Sequence, residues 1–286
     1  MKIGILTLRL FKNYGGILQN YALSRFLQKN GYDVETINIV WSYQLNGVKK
    51  YFVWLKRLVR NMLIGKWYSL DEEKILRNNE LVAAQRVNAF KEKNIPLSQK
   101  VYSLPGADFS DISNKYDTII VGSDQVWRPK YTGGIEKYFL SFADNRIKKI
   151  AYSASFGTDK NEYSFYEKWV CGKLIKRFDA ISVREESAIS LIREQLHWDV
   201  DVIQTLDPTM LLDITDYKSL VGQVVNNNKI FVYILDSSVQ KISFVEKLEK
   251  VLCMPGFTIT PKGMDNKSAY VMPCLLYTSP SPRDSA

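Results

Sequence analysis

Residues 1–40 read MKIGILTLRLFKNYGGILQNYALSRFLQKNGYDVETINIV. Residues 1–8 are apolar enough for a buried strand, and a glycine turn follows at Gly15 and Gly16. Apolar residues then recur at helical spacing until Asn30 and Gly31, where the helix is expected to stop. Residues 34–40 predict a second strand. This order of strand, glycine turn, helix and strand is how a parallel α/β sheet begins.

The same pattern continues through about residue 212. Short apolar runs predict four more strands, at residues 118–121, 150–153, 180–183 and 200–203. Helical spacing over residues 165–177 and 185–196 separates some of them. We therefore predict a doubly wound α/β domain over residues 1–212.

A second pattern begins after Asp213, with a strand predicted at residues 229–235, an amphipathic helix at 239–252 and a strand at 257–260. Two strands are too few for a stable covered sheet, so residues 213–273 are expected to be an incomplete α/β domain. From Cys274 the chain reads CLLYTSPSPRD, which resembles the translation of a sequencing adapter. We expect residues 274–286 to be a non-native tail and the second domain to be truncated near Pro273.

Composition excludes several classes of protein. With 46% hydrophobic and 24% charged residues, the 286-residue chain has enough apolar side chains for a real core. No run approaches the ~20 apolar residues of a membrane span, and residues 1–8 are too short for a signal peptide. Three separated cysteines and one histidine provide no disulfide framework and no Cys/His zinc site. We expect a cytoplasmic protein without a metal.

The net charge of +9 is concentrated in one segment. Six Lys or Arg and no acidic residue lie between Thr36 and Leu70, and residues 49–67 carry an apolar stripe beside these cations. No RNA-binding or DNA-binding motif accompanies them, so we expect no nucleic acid partner. The segment 46–67 is expected to form a basic amphipathic helix. It would either pack on its own domain or contact an anionic membrane at the inner face or a lipid-linked acceptor.

The turn between the first strand and the first helix is the first candidate site. Its residues are Asn13, Tyr14, Gly15, Gly16 and Gln19. Two glycines allow close approach of a ligand, and the free N–H groups of a helix start favour an anion or a polar sugar. A tight structural turn would use the same residues.

The second candidate follows the strand that ends at Val121. Ser123, Asp124, Gln125 and Trp127 come at the carboxyl end of this strand, where open α/β sheets place ligands. Asp124 suits a base or an acceptor of sugar hydroxyls, Gln125 suits hydroxyl bonding and Trp127 suits ring stacking. Alternatively, Asp124 caps the following turn.

The third candidate is Arg184 with Glu185, at the junction of a strand and a helix. Arginine gains nothing from the dipole at a helix start, and a bidentate carboxylate or phosphate ligand would explain its presence. An internal ion pair with Glu185 or an Asp at the core edge is the alternative. In the later sequence LDPT, Asp207 and Pro208 are expected to have a structural role.

Five motifs in this order resemble the polysaccharide pyruvyl transferase family. They are NYGGILQNYAL from residue 13, VGSDQVW from residue 121, KIAYSASFG from residue 149, SVREES from residue 182 and LDPT from residue 206. The resemblance covers about residues 1–212. It implies a GT-B-like enzyme with a Rossmann-like N-terminal domain on the acceptor side.

The resemblance also implies a reaction, in which a pyruvyl group moves from phosphoenolpyruvate onto two hydroxyls of a sugar as a cyclic ketal. The acceptor would be a sugar or lipid-linked oligosaccharide destined for envelope or exported polysaccharide, and no cofactor is needed. Arg184 would hold the donor and Asp124 would act as a base or orient the acceptor. The family's C-terminal domain adds an Arg/His pair that finds no match in residues 213–273, so we expect this chain to be inactive. A GT-B glycosyltransferase using a nucleotide sugar and a non-catalytic carbohydrate-binding scaffold remain alternatives.

Overall fold

A computed structural model describes residues 1–10, 13–41, 87–103, 109, 112, 114–221, 228–234 and 238–258. The basic segment 46–67 and the tail 274–286 lie outside these residues. None of the described helices is long and apolar enough to cross a membrane.

The strands, in chain order, are β1 (Lys2–Leu6), β2 (Asp33–Thr36), β3 (Ile39–Trp41), β4 (Val101–Ser103), β5 (Thr118–Val121), β6 (Lys148–Ala154), β7 (Ala180–Val183), β8 (Ile203–Gln204), β9 (Ile230–Phe231) and β10 (Gly256–Phe257). The helices are α1 (Tyr14–Lys29), α2 (Pro129–Thr132), α3 (Phe165–Ile175), α4 (Glu186–Ser190), α5 (Ile214–Lys218) and α6 (Val239–Leu252). Short 3₁₀ turns cover Ile135–Phe139 and Pro208–Met210, a π-helical turn covers Leu191–Gln195, and residues 87–94 are also helical.

The main sheet is parallel and has the strand order β2-β1-β5-β6-β7-β8. Its central strands β1 and β5 are almost entirely buried, as strands covered on both faces must be. The predicted mixed α/β fold with a parallel sheet is confirmed. In strand order, the chain proceeds from β1 to β2 on one side and from β5 to β8 on the other. The order therefore reverses between β1 and β5.

Several predicted strands differ from the structure. Over the described residues, the strands predicted at 229–235 and 257–260 are the two-residue strands β9 and β10, and two strands of the first unit differ as well. Residues 34–40 form two strands instead of one, because β3 leaves the main sheet and pairs with β4. The backbone N–H of Thr36 donates to Pro96 O at 2.6 Å, just where the chain changes partners. The strand predicted at residues 200–203 begins only at Ile203, where β8 forms the sheet edge. An edge strand pairs on one side only, so apolar sequence alone does not fix its bounds.

An aromatic cluster fills the core beside β5 and β6. Trp127 stacks on Phe139 with ring centroids 5.0 Å apart, and Phe156 and Tyr163 pack around this pair. The indole N–H of Trp127 donates to the carbonyl of Tyr138. This packing fixes the loop that follows β5 and therefore fixes the polar residues within it.

The chain divides into two compact units, Met1–Asp213 and a second that begins at Ile214. In the second unit, β9 and β10 pair in parallel and α6 joins them. The helix α6 covers the residues predicted for it, 239–252. Its start is capped by the hydroxyl of Ser238, which accepts the N–H of Lys241.

Candidate functional site

The carboxyl ends of β1 and β5 meet where the strand order reverses, which is the place where open α/β sheets bind ligands. Five segments of the first unit meet there: the start of α1 and the residues after β5, β6, β7 and β8. We call the residues that they contribute the switch-point site. Its members are Asn13, Tyr14, Gly15, Gly16, Gln19, Ser123, Asp124, Ser155, Arg184, Glu185 and Asp207.

Asn13 and Asp124 join the two sides of the reversal. The Nδ2 of Asn13 donates to Oδ2 of Asp124 at 3.0 Å, and the backbone N–H of Gln125 donates to Oδ1 at 2.8 Å. Because each carboxylate oxygen has two lone pairs, both keep the capacity to accept another hydrogen bond. The carboxylate of Asp124 is thus held in one orientation and can still accept a hydrogen bond from a ligand hydroxyl.

Gly16, in the first turn of α1, occupies a position with no room for a side chain. A Cβ at this position would lie 2.7 Å from Oδ2 of Asp124 and 2.8 Å from Nδ2 of Asn13. Both distances are shorter than a tolerable carbon contact. The absence of a side chain at Gly16 therefore lets the helix start approach the Asp124 carboxylate.

The start of α1 supplies hydrogen-bond donors to the same place. The first N–H groups of a helix have no intrahelical partner, and here they belong to Tyr14, Gly15 and Gly16. The side chain of Asn13 does not cap them, and the first turn holds no acidic residue. Tyr14 and Gly15 are exposed to solvent. A ligand at this end of α1 can accept from the backbone and donate to Asp124.

Burial raises the pKa of Asp124, because the side chain is removed from water. The hydrogen bond from the N–H of Gln125, the charge of Arg184 and the hydrogen bond from Asn13 oppose this rise, and the carboxylate of Asp207 adds to it. The net shift is upward. Asp124 is therefore a stronger proton acceptor than an ordinary surface aspartate.

Arg184 is already engaged by protein groups. Its Nε donates to Glu185 at 2.8 Å, and its Nη2 donates to the hydroxyl of Ser155 at 3.3 Å. Its Nη1 donates to the carbonyl of Ser123 at 3.4 Å and to Oδ2 of Asp207 at 3.5 Å. All three guanidinium nitrogens thus have partners. The alternative was an internal ion pair with Glu185 or an Asp at the core edge, and Arg184 pairs with both Glu185 and Asp207.

Asp207 links α1 to Arg184. Its Oδ2 accepts from Nε2 of Gln19 and from Arg184, while its Oδ1 accepts the N–H and the hydroxyl of Thr209 at 3.0 and 2.7 Å. The expected structural role of the LDPT motif agrees with the hydrogen bonds to Thr209. The contacts to Gln19 and Arg184 additionally make Asp207 part of the switch-point site.

Among the described members of the switch-point site, acidic side chains outnumber basic ones. Asp124, Glu185 and Asp207 are three carboxyl groups around the single guanidinium of Arg184. Such a balance disfavours a ligand with several negative charges and favours a neutral ligand with hydroxyl groups. In the described ranges, no group of three His, Cys, Asp or Glu side chains is placed to hold a metal.

Ser123 adds a buried polar atom for which the described residues offer no hydrogen-bond partner. Its hydroxyl is buried and bonds to none of the residues that the structure describes, whereas its carbonyl accepts from Arg184. A buried hydroxyl without a partner is costly, so native proteins rarely retain one without a ligand, water or functional reason. Ser123 is the neighbour of Asp124, and its hydroxyl is a further point at which a polar ligand can bond.

Two predicted site residues have other positions. The ring of Trp127 is fully buried in the core, between Phe139 and Phe156, and leaves no face for a sugar. The prediction of ring stacking by Trp127 is therefore corrected, because an aromatic residue just after a strand serves the core equally well. The Oε1 of Gln125 accepts from Arg128 at 3.3 Å, and this contact turns the side chain toward Arg128.

Sequence reasoning missed Ser155 as a site residue. Its hydroxyl donates to Glu185 at 2.8 Å and accepts from the N–H of Gly157 at 3.0 Å and from Arg184. The position of Ser155 in the sequence could have indicated this role, because it follows strand β6 as Ser123 follows strand β5. Parallel strands end at one edge of the sheet, so the residues after each strand are expected to meet.

Two comparisons with known proteins bear on this site. The model of a protein family described as polysaccharide pyruvyl transferase matches residues 13–254, which include every member of the switch-point site. A search of curated proteins found no match.

Proposed function

Because the chain belongs to the polysaccharide pyruvyl transferase family, we propose that its switch-point site binds the sugar that receives the pyruvyl group. The donor in this proposal is phosphoenolpyruvate, and the product is a cyclic ketal that spans two hydroxyls of the sugar. The acceptor is a sugar or lipid-linked oligosaccharide used for envelope or exported polysaccharide. The two units would correspond to the two domains of a GT-B-like enzyme.

One observation carries the assignment of the acceptor: the carboxylate of Asp124 faces the uncapped start of α1. Sugar hydroxyls both donate and accept hydrogen bonds. A hydroxyl can donate to Asp124 while a neighbouring hydroxyl accepts from the N–H groups of Tyr14 or Gly15. The buried hydroxyl of Ser123 is a third partner.

The charge balance supports the acceptor rather than the donor at this position. Phosphoenolpyruvate carries a carboxylate and a phosphate, and it would meet Asp124, Glu185 and Asp207. Arg184 is the only cation bonded into the described site, and its nitrogens already donate to protein groups. We therefore assign Arg184 to positioning: it holds the residues after β5, β6 and β8 together.

The reaction defines the role of Asp124. A first hydroxyl adds to the carbon that bears the phosphate, and the methylene carbon takes up a proton and becomes a methyl group. A second hydroxyl then displaces the phosphate, so that two C–O bonds form and one C–O bond to phosphate breaks. Two hydroxyl protons are released, of which the methyl group consumes one in net terms and phosphate carries the other. Asp124, with its raised pKa, is placed to accept a hydroxyl proton.

A thermal-shift experiment tests the proposal. The chain is titrated with a panel of methyl glycosides, with phosphoenolpyruvate and with a uridine diphosphate sugar, and the same titrations are made with Asp124→Asn. At least one glycoside is expected to raise the melting temperature of the wild type and to lose its effect in the variant. A rise with the nucleotide sugar and with no glycoside would contradict the proposal in favour of a glycosyltransferase.

Transfer itself is measured separately, as release of phosphate from phosphoenolpyruvate that depends on the glycoside. The sequence predicts no ketal formation by this chain. Ketal formation would overturn that prediction, and it would support the assignment of donor and product.

A further inference from the structure

A second surface of the first unit lies on α3, away from the switch-point contacts. Phe165 is 89% exposed, Tyr166 67% and Trp169 53%, although α3 is firmly anchored in the fold. Cys171 and Ile175 are completely buried and pack the opposite side of α3 into the core. The exposed aromatic side chains are therefore not a consequence of a loosely held helix.

Helical geometry places these side chains in one stripe with lysines. Positions four or about seven residues apart share a helix face, so Phe165, Trp169 and Lys173 lie in one row, and Lys176 follows at its end. The Nζ of Lys173 lies 3.7 Å from the centroid of the Trp169 ring. We call this row, together with Tyr166 and Lys168, the aromatic-lysine stripe.

A groove of about 400 Å³ runs beside the stripe, between α3 and residues 196–198. Lys168, Lys173, Lys176 and His197 line it together with Phe165 and Trp169. The acidic residue on α3 is Glu167, and both its carboxylate and its N–H bond to Ser164 in the helix cap. The stripe therefore combines exposed aromatic rings with a local excess of positive charge.

We propose that the aromatic-lysine stripe docks the protein on an anionic phospholipid surface. Tryptophan and tyrosine side chains are enriched at the level of the lipid headgroups, where the apolar part of the ring is buried and its polar edge is hydrated. Lysines beside them complement anionic phosphates, and their long side chains reach the headgroups while the rings enter the interface. A sugar partner fits less well, because Lys173 covers one face of Trp169 and Phe165 offers no polar group.

The proposal goes beyond the acceptor site, because it concerns a different surface and does not depend on the identity of the sugar. A lipid-linked acceptor would be presented at such a surface. The stripe would then bring the switch-point site to its substrate without contacting the sugar.

Vesicle co-sedimentation with the full chain tests the proposal. The vesicles contain either phosphatidylcholine alone or roughly equal parts of phosphatidylglycerol and phosphatidylcholine. Binding is expected only to the anionic vesicles and is expected to be lost at about 0.5 M salt. Each lysine near the surface contributes about fivefold to affinity, so K173E/K176E is expected to weaken binding at least about 25-fold.

The matched control is K115E/K148E, which changes the net charge equally at two exposed lysines elsewhere in the first unit. It is expected to bind almost as the wild type does. Equal losses in both double variants, or wild-type binding that survives K173E/K176E, would overturn the proposal. So would absence of binding to anionic vesicles.

Insertion of the rings is tested with brominated lipid, which quenches tryptophan fluorescence on contact. We expect the tryptophan fluorescence of the wild type to be quenched. The fluorescence of Trp169→Phe is expected to be quenched less, although this variant should bind the vesicles nearly as well. Phe165→Ser together with Trp169→Ser is expected to lose binding, with an unchanged circular dichroism spectrum as the check of folding. Undiminished quenching in Trp169→Phe would contradict insertion at this stripe.

Discussion

Asn13 and Asp124 lie 111 residues apart in the sequence, and their side chains are joined by a hydrogen bond of 3.0 Å across the reversal of strand order. This bond links the start of α1 to the end of β5. It fixes the orientation of the carboxylate that we assign to the acceptor hydroxyl.

Replacing Asn13 by Asp puts a second carboxylate of nearly the same shape beside Asp124. Two like charges at this distance raise the pKa of the pair further and remove the donor that orients Asp124. We expect N13D to weaken binding of a methyl glycoside at least about tenfold, a loss of ~1.4 kcal/mol that is typical of a hydrogen bond to a charged group. Calorimetric titration measures this, with the exposed-turn variant N114D as the control. Equal binding by N13D and the wild type would contradict the orienting role.

The pH dependence of glycoside binding reports the same carboxyl group. Burial raises the pKa of Asp124. We therefore expect glycoside binding to weaken, as the pH is lowered, at a pH above the ordinary aspartate pKa of about 3.9. As the pH falls through this pKa, Asp124 is protonated and becomes a weaker hydrogen-bond acceptor for the sugar hydroxyl, so binding weakens. D124N is expected to bind the glycoside weakly at every pH, and an acid-dependent loss of any binding that remains in D124N would assign the titration to another group.

Gly16→Ala tests the close approach of α1. Its Cβ would meet Asp124 and Asn13 at 2.7 and 2.8 Å, so the helix start or the carboxylate has to move. We expect a loss of about 1–3 kcal/mol in the free energy of unfolding, together with weaker glycoside binding. Denaturant titration measures the first effect. Gly15→Ala is the control, because its added Cβ would come no closer than 3.3 Å to Asn13 Oδ1. Similar losses in the two variants would argue against a special role of Gly16.

Asp207→Ala removes the link between Gln19, Arg184 and the turn at Thr209. It breaks the ion pair to a partly buried arginine and the cap of the following 3₁₀ turn. We expect a loss of about 2 kcal/mol in the free energy of unfolding. D207N keeps the side chain's shape and one acceptor oxygen, and it should recover roughly half of this loss. Wild-type stability in D207A would show that the link contributes nothing.

Glu162 gives a prediction for stability in acid. Arg128 and Lys130 bond to its carboxylate and lower its pKa from 4.5 to about 2. A carboxyl group with a depressed folded-state pKa stabilises the fold above its unfolded pKa, and this contribution is lost as the pH falls from 4.5 toward about 2. We expect E162Q to be about 2 kcal/mol less stable than the wild type at pH 7 and equally stable near the acid end of this range.

Urea titrations across that pH range, with the exposed-surface variant E194Q as control, measure the effect. E194Q is expected to follow the wild type throughout. A difference between E162Q and the wild type that stays constant from neutral pH down to the acid end would contradict the assigned ion pair.

Much of this arrangement follows from the sequence, because parallel strands end at one edge. The predictions of β5 and β7 are right to the residue, since each is a short apolar run with clear ends. From them, Asp124 and Arg184 were expected just after the carboxyl ends of their strands, and the structure places them there. What the sequence does not fix is the partner of each side chain. The pairing of Arg184 with Asp207 depends on the packing of two loops 23 residues apart.

Trp127 shows a second limit. A tryptophan after a polar turn suits a sugar site and a core equally, and only the position of Phe139 and Phe156 decides between them. The role that we propose for Arg184 differs from the expected one for a similar reason, because the carboxylates around it come from separate segments. The charge of the whole site becomes visible only when those segments are assembled.

The central claim is that the switch-point site binds the hydroxyls of a sugar acceptor rather than the anionic donor. Nuclear magnetic resonance of the isotope-labelled chain tests it most directly, through the backbone amides of Tyr14, Gly15 and Gln125. A methyl glycoside from the panel is expected to shift these three amides in a saturable manner, while phosphoenolpyruvate leaves them unchanged. Saturable shifts with phosphoenolpyruvate, and none with any glycoside, would contradict the claim.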